Sequence, residues 1–219
     1  MATVTEENYL KALLSLTDAA GKVAISELAK HLGVSTPSAN SMVRRLAERG
    51  LVDYEKYKPL ALTDAGRRAA ALIVRKHRLT EMFLVEQMGF GWEEVHAIAE
   101  QIEHVESPAF FARMDELMGS PTLDPHGSPI PDKEGNLRTA ARRRLSDCRA
   151  GETVRIAGLG HSSNEFLHFL NDRGLALRTE LTVTHREPFD GSLTLDYAGH
   201  KAVTFSRTVT DRILVTDAE

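Results

Sequence analysis

Histidine and glutamate recur at helical spacing in the middle of this chain. Four of them fall at positions i, i+4, i+7 and i+8 of one predicted helix: His96, Glu100, Glu103 and His104. Residues at this spacing share one face of a helix. His77 and Glu81 form a further i, i+4 pair upstream. Imidazole and carboxylate groups crowded on one stripe suit a divalent transition metal, and a solvated helix face is the alternative that spacing leaves open.

The bulk properties are those of an ordinary globular protein. The chain has 219 residues, enough for one or two domains with their own cores, and a net charge of −4. Its single cysteine, Cys148, excludes an internal disulfide framework. No apolar run approaches the roughly 18 residues that span a bilayer, and the N-terminus lacks the features of a signal peptide. We therefore expect a cytoplasmic protein.

The first third of the chain predicts a DNA-binding fold. A helix opening near Thr5 is followed by a short helix over 27–32, a tight connection and a helix over 36–49. Strands over 51–55 and 60–62 then flank a turn. This order is that of a winged helix-turn-helix, in which the third helix reads DNA. A small helical bundle with a hairpin is the alternative.

Several polar side chains on and near that third helix could contact DNA. Small polar groups can read base edges, and cationic groups can hold phosphate. The candidates are Thr36, Ser38, Asn40, Ser41, Arg44 and Arg45 on the helix, with Lys56 and Lys58 in the hairpin.

The remainder of the chain predicts a helical region followed by a small β domain. A long helix over 65–88 precedes a helix that begins at Trp92 and carries His96 to His104, and a shorter helix starts at Ser107. Residues 120–136 are rich in proline and glycine and indicate a linker. Short alternating strands after residue 148 favour a small β-barrel. The fold class is therefore mainly α with a small β domain.

The chain resembles the diphtheria toxin repressor family of metal-dependent transcriptional regulators over nearly its whole length. The most specific stretches are Arg75 to Glu81, Trp92 to His96, Glu100 to Val105 and the linker Pro125 to Pro131. The resemblance implies a winged helix-turn-helix domain over 1–64 and a helical dimerisation and metal-binding domain over 65–140, with its linker from about residue 120. It also implies a β-barrel similar to Src-homology-3 and FeoA domains over 148–219. It implies a homodimer, and it places Ser35, Pro37 and Ser41 at base-facing positions.

The resemblance also implies two separate metal sites in each subunit. The primary site falls on Asn8, Glu100, Glu103 and His104. The ancillary site falls on His77, Glu81 and His96, completed from the barrel by Glu165 with help from Ser162.

Two departures from the family pattern bear on the metal. Iron-type members carry cysteine where this chain has Glu100 and methionine where it has Asn8, and the loss of both sulfur ligands favours Mn(II), with Fe(II) as the alternative. Manganese-type members usually carry aspartate where this chain has Asn8. Some also carry glutamate as a ligand where this chain has Lys11. Because lysine cannot replace that carboxylate, a two-metal primary site is not expected here.

We therefore expect a non-enzymatic repressor that controls metal-ion homeostasis and binds palindromic operator DNA as a metal-loaded homodimer, without a membrane partner. A carboxylate–histidine metallohydrolase is an alternative from another class, although a hydrolase has no need of the DNA-binding domain. A third alternative is a winged-helix sensor of a small organic ligand. Metal-dependent DNA binding separates the first hypothesis from the others.

Overall fold

The computed structural model describes residues 3–18, 20–137, 141–160 and 162–218. The chain forms two compact units, one made of residues 1–80, 99–120 and 130–138 and the other of residues 81–98, 121–129 and 139–219. The predicted end of the middle domain, at residue 140, lies outside the described residues.

The DNA-binding region is built from helices with clear local start signals. Its elements are α1 (Val4–Leu16), α2 (Ile25–His31), α3 (Thr36–Glu48), β1 (Val52–Asp53) and β2 (Ala61–Leu62). Thr3 and Glu6 form a reciprocal capping box at the start of α1, and the Ser35 side chain accepts from the Ser38 amide at the start of α3. Buried leucines from all three helices and the hairpin form one core, among them Leu10, Leu13, Leu28, Leu46 and Leu60.

Two predicted boundaries in this region are wrong. Helix α2 begins at Ile25, two residues before the predicted start at residue 27, and the preceding Ala24 provides no side-chain cap. The reason is that Val23 pairs with Leu60 in a β-bridge, so the helix starts directly after this contact. The hairpin strands are two residues each and shorter than predicted, because Tyr57, at φ 67°, turns the chain between them.

Three helices follow: α4 (Asp64–Met88), α5 (His96–Ile102) and α6 (Pro108–Leu117). Helix α5 is shorter at both ends than the predicted helix from Trp92 to His104. Its start is delayed because residues 92–95 form turns, in which the Gly91 amide donates to Glu94 Oε2 at 2.8 Å. Glu103 and His104 lie in the turn after the helix, although the Glu103 amide still donates to the Ala99 carbonyl at 2.9 Å. The predicted shared helical face is thus only partly formed.

The C-terminal region is an antiparallel sheet with a helix packed on it. Its strands are β3 (Arg143–Arg144), β4 (Thr153–Leu159), β5 (Glu180–Arg186), β6 (Leu193–Tyr197), β7 (His200–Phe205) and β8 (Ile213–Asp217), with helices α7 (Asn164–Asn171) and α8 (Arg207–Thr210). The strand order is β3-β8-β4-β5-β6-β7. The predicted small β domain is confirmed, and its six-stranded sheet is open among the described residues, because the two-residue β3 and the six-residue β7 lie at opposite edges. Phe166, Leu170, Leu181 and Val215 belong to the core beneath α7.

The described helices include none with the length and apolarity needed to cross a membrane.

Candidate functional site

A first cluster of charged side chains lies around Glu103, whose carboxylate is fully buried. Lys11 on α1 places its Nζ 2.7 Å from Glu103 Oε1 and 2.5 Å from Glu100 Oε1. His77 Nδ1 on α4 lies 2.5 Å from Glu103 Oε2. Burial raises the pKa of Glu103, but hydrogen bonds from His77 and Lys11 outweigh burial and hold that pKa below its ordinary value. The Glu103 side chain is therefore an ionised carboxylate at neutral pH, and its oxygens can bind a cation.

The first turn of α1 completes this cluster. Glu7 Oε2 lies 2.6 Å from His104 Nδ1, so the helix contacts the turn that follows α5. Asn8 Oδ1 is the one fully buried side-chain nitrogen or oxygen of the described residues that has no hydrogen-bond partner. Asn8 and Lys11 stand at i and i+3 and share a face of α1. A buried carbonyl oxygen without a donor is costly unless a cation or water binds it.

These residues fit a divalent metal ion. The set offers one amide oxygen, carboxylate oxygens and imidazole nitrogen, which suits Mn(II) or Fe(II) and lacks the thiolate preferred by softer ions. Lys11 contacts both Glu100 and Glu103, and His77 contacts Glu103 directly. His104 Nε2 lies 3.6 Å from Glu103 Oε1. Asn8 lies on α1, one turn before Lys11. His77, which the resemblance assigned to the ancillary site, thus lies beside Glu103. The ligand set itself stays a prediction.

A second cluster is formed by Glu81, Asp124 and His126. All three side chains are buried, and one potential ligand atom from each lies within 4.8 Å of the others. His126 Nδ1 is 3.8 Å from Glu81 Oε2, too far for a direct hydrogen bond. Two carboxylates and an imidazole at this spacing can hold one cation between them.

The loop over residues 121–129 holds His126 in a fixed orientation. Asp124 Oδ1 accepts backbone amides from His126 and Ser128 at 2.9 and 2.8 Å. His126 Nε2 lies 2.9 Å from the Trp92 carbonyl, which can only accept, so Nε2 donates and Nδ1 faces Glu81. Gly127 has φ +82°, and a Cβ there would meet the Ala157 carbonyl at 2.5 Å. Only glycine allows this close approach to β4.

Burial lowers the pKa of His126, but the negative charges of Glu81 and Asp124 outweigh burial and raise it above its ordinary value. The cluster therefore attracts positive charge, which a proton or a metal ion can supply.

The remaining predicted ancillary residues, His96 and Glu165, differ in their placement. His96 Nδ1 lies 3.2 Å from Glu81 Oε1, so these two predicted residues are neighbours. Glu165 is exposed in the first turn of α7 and is not among the three side chains of the second cluster. Its role as a ligand stays a prediction, with help from exposed Ser162.

Sequence reasoning missed three residues in these clusters: Glu7, Asp124 and His126. The composition of residues 120–136, which include Asp124 and His126, indicated only a linker. The available signal was the spacing of Asp124 and His126 in a loop matching the family linker.

All but one of the DNA-binding candidates are exposed in the helix-turn-helix region. Ser35, Thr36, Pro37, Ser38, Ser41, Arg44 and Arg45 are exposed, as are Lys56 and Lys58. Asn40 is half-buried and its Oδ1 accepts from the Tyr54 hydroxyl at 2.9 Å, while the Arg44 guanidinium lies 5.7 Å from the centre of the Tyr54 ring. A cleft of about 650 Å³ lies between α3 and the hairpin, lined by Pro37, Asn40, Arg44 and Lys58 among others.

Sequence profiles of known families match the chain in three consecutive segments. Residues 1–60 match the iron dependent repressor N-terminal DNA binding domain, residues 63–132 match the iron dependent repressor metal binding and dimerisation domain, and residues 143–217 match the FeoA domain.

Individual relatives match over most of their length. The iron-dependent repressor IdeR of Mycobacterium tuberculosis is 30% identical over 223 residues, covering 96% of each chain. The diphtheria toxin repressor of Corynebacterium diphtheriae is 28% identical over 206 residues, covering 89% of each chain. A solved manganese-dependent transcriptional repressor in complex with manganese has a TM-score of 0.88 and 37% identity, covering 97% of this chain and 99% of its own.

The match at 30% identity over nearly the full length, together with all three domain profiles, gives one conclusion. The chain belongs to the iron-dependent repressor family, which includes the diphtheria toxin repressor and whose members are metal-dependent transcriptional repressors rather than enzymes.

Proposed function

We propose that this repressor responds to Mn(II), binds palindromic operator DNA in the cytoplasm as a metal-loaded homodimer, and controls metal-ion homeostasis. The observation that carries the choice of metal is the ligand chemistry of the first cluster, which consists of amide and carboxylate oxygens with imidazole nitrogen. Cys148 lies in the core of the C-terminal region, and burial raises the pKa of its thiol to about 11. The thiol therefore stays protonated near neutral pH, which makes it a poor metal ligand.

The primary site of this proposal comprises Asn8, Glu100, Glu103 and His104, with His77 beside Glu103. A bound metal ion supplies two positive charges to these donors. Ligands from α1, α5 and the turn after α5 would then share one ion, so metal binding favours the ordered arrangement of these elements.

The second site of the proposal comprises Glu81, Asp124 and His126, with His96 at its edge. This set differs from the sequence-based ancillary site, because the linker loop provides two of its ligands. Its donors suit the same class of hard divalent ion.

Fe(II) is the second candidate, because several relatives are named iron-dependent repressors. Operator-binding titrations under anaerobic conditions with Mn(II), Fe(II) and Zn(II) decide between the ions. The proposal expects Mn(II) to activate binding at the lowest free concentration. Activation by Fe(II) at a lower concentration than Mn(II) would contradict the choice of metal but not the family function.

Variants test the site within the same assay. Glu100→Ala or His104→Ala should abolish metal-dependent DNA binding and leave a folded dimer, while His77→Ala and His96→Ala should weaken activation less. Glu106→Ala is the matched control, since Glu106 is exposed two residues beyond His104. Wild-type metal dependence in the Glu100 and His104 variants would refute the primary site.

A further inference from the structure

Glu6 joins the start of α1 to the end of α3. Its backbone and side chain form the capping box with Thr3, in which the Thr3 amide donates to Glu6 Oε2 at 2.8 Å. The same carboxylate accepts from Arg49 Nη1 at 2.8 Å and lies 3.4 Å from Arg45 Nη2. One side chain therefore bridges the first turn of one helix and the last turn of another.

The burial of Glu6 makes these contacts consequential. Its side chain is 3% exposed, and a buried carboxylate is costly unless it is hydrogen-bonded and neutralised. The Thr3 amide and the two guanidinium groups together provide this compensation, and they hold the pKa of Glu6 below its ordinary value. If the first turn of α1 moves, Glu6 loses both guanidinium groups, and if the arginines move, the buried carboxylate keeps only the Thr3 amide of these three partners.

Glu7, the next residue of α1, contacts the first cluster. Glu7 contacts His104, while neighbouring Glu6 contacts α3, as expected because adjacent helical residues point in different directions. A single helical turn thus touches the proposed primary site on one side and the DNA-reading helix on the other.

The two ends of α3 are held differently. Its N-terminus is capped locally by Ser35. Its last turn carries Arg45, and Arg49 is the C-cap residue, so the long-range tie to Glu6 acts at this end. Glu6 thus ties the C-terminal end of α3 to the first turn of α1.

We propose that Glu6 is a positioning residue that transmits the metal-dependent order of the α1 first turn to α3. This role rests on the proposed function. With the first turn ordered, Glu6 fixes the last turn of α3 and with it the presentation of Arg44 and Arg45 to DNA. With the first turn frayed, both arginines lose their buried partner and α3 is less restrained.

The test compares operator affinity at saturating Mn(II) with affinity in chelator, and takes the ratio as the measure of coupling. Glu6→Gln retains a side-chain oxygen for the capping box but loses the charge that binds the arginines. We expect this variant to lower the ratio by roughly fivefold or more, within the usual range of coupling between sites. Glu48→Gln is the control, because Glu48 is the last residue of α3 and its side chain is exposed.

Arg49→Gln provides a second route to the same measurement if Glu6→Gln folds poorly. It should lower the ratio similarly, and the double variant should add little, because both changes break one interaction. In the wild type, Mn(II) should slow hydrogen exchange of the backbone amides of residues 44–49. In either variant, this slowing by Mn(II) should be smaller.

The outcomes separate the two proposals. A common weakening of both affinities, with the ratio unchanged, would show that Glu6 is merely structural and would overturn the inference. A wild-type ratio of one would refute the proposed metal-dependent function, and with it the transmission by Glu6.

Discussion

Replacing Lys11 with methionine tests the electrostatics of the first cluster directly. The Lys11 ammonium lies 2.5 Å from Glu100 Oε1 and 2.7 Å from Glu103 Oε1. Breaking a fully buried ion pair by removing one partner costs roughly 3–5 kcal/mol, because the other charge stays buried. The Lys11 and Glu100 side chains are 21% and 39% exposed, so water screens part of the interaction. We therefore expect a loss of roughly 1–3 kcal/mol in protein stripped of metal.

A divalent ion bound to the same carboxylates should relieve this loss in the variant. Since about 1.4 kcal/mol corresponds to a factor of ten, Lys11→Met should bind Mn(II) about tenfold more tightly than the wild type. Its thermal unfolding in chelator should occur a few degrees lower, and saturating Mn(II) should restore most of the difference. Titration calorimetry and thermal melts measure the two effects.

Lys30→Met is the matched control, because Lys30 is exposed on α2 and lies outside the cluster. It should change neither the Mn(II) affinity nor the melting temperature. Weaker Mn(II) binding by Lys11→Met, or equal melting of this variant and the wild type in chelator, would refute the view that Lys11 is the counter-charge of Glu100 and Glu103.

Three further predictions concern single side chains. Asn8→Asp should tighten Mn(II) activation of operator binding and Asn8→Ala should weaken it, because the orphaned Oδ1 is replaced by a charged donor or lost; equal activation in both would exclude Asn8 as a ligand. Lys58→Ala should flatten the salt dependence of DNA affinity by about one unit of slope, and unchanged affinity and slope would place the hairpin off the phosphate backbone. Glu6 has a folded-state pKa below its ordinary 4.5, so its stabilisation is present above pH 4.5 and is lost as pH falls through the lower folded value. Acid unfolding of Glu6→Gln should therefore depend less steeply on pH below 4.5, and an identical profile would show that Glu6 titrates alike in both states.

Local signals in the sequence were sufficient to predict the order of elements in the DNA-binding region. Ser35, with Pro37 two residues later, marks the start of α3, and the predicted order of helices and strands is confirmed. The short α2 shows the limit of this reasoning. Its start depends on the pairing of Val23 with Leu60, a contact between residues far apart in the chain that no capping pattern reveals.

The two clusters required tertiary information for a similar reason. Helical spacing grouped His96 with Glu103 and His104, but α5 ends at Ile102 and the three side chains have different partners. Glu103 contacts Lys11 and His77, which are 92 and 26 residues away in sequence. His126 lies in a loop rich in proline and glycine, where composition indicates only a connection, and its role depends on contact with Glu81.

The first turn of α1 is suited to a metal-dependent change between frayed and ordered states, because its own stability is modest. The capping box contributes about 1 kcal/mol, which partly offsets the tendency of helix ends to fray. Switching a two-state element almost completely requires a preference of about 5.5 kcal/mol for one state. The capping box alone therefore contributes too little free energy to keep this turn fully helical. If the cap were much stronger, the turn would be ordered without metal, and metal binding could not change its order. In this turn Glu6 contacts α3, Glu7 contacts His104, and Asn8 has a buried oxygen without a hydrogen-bond partner. Ordering this one turn therefore affects both the first cluster and the DNA-reading helix.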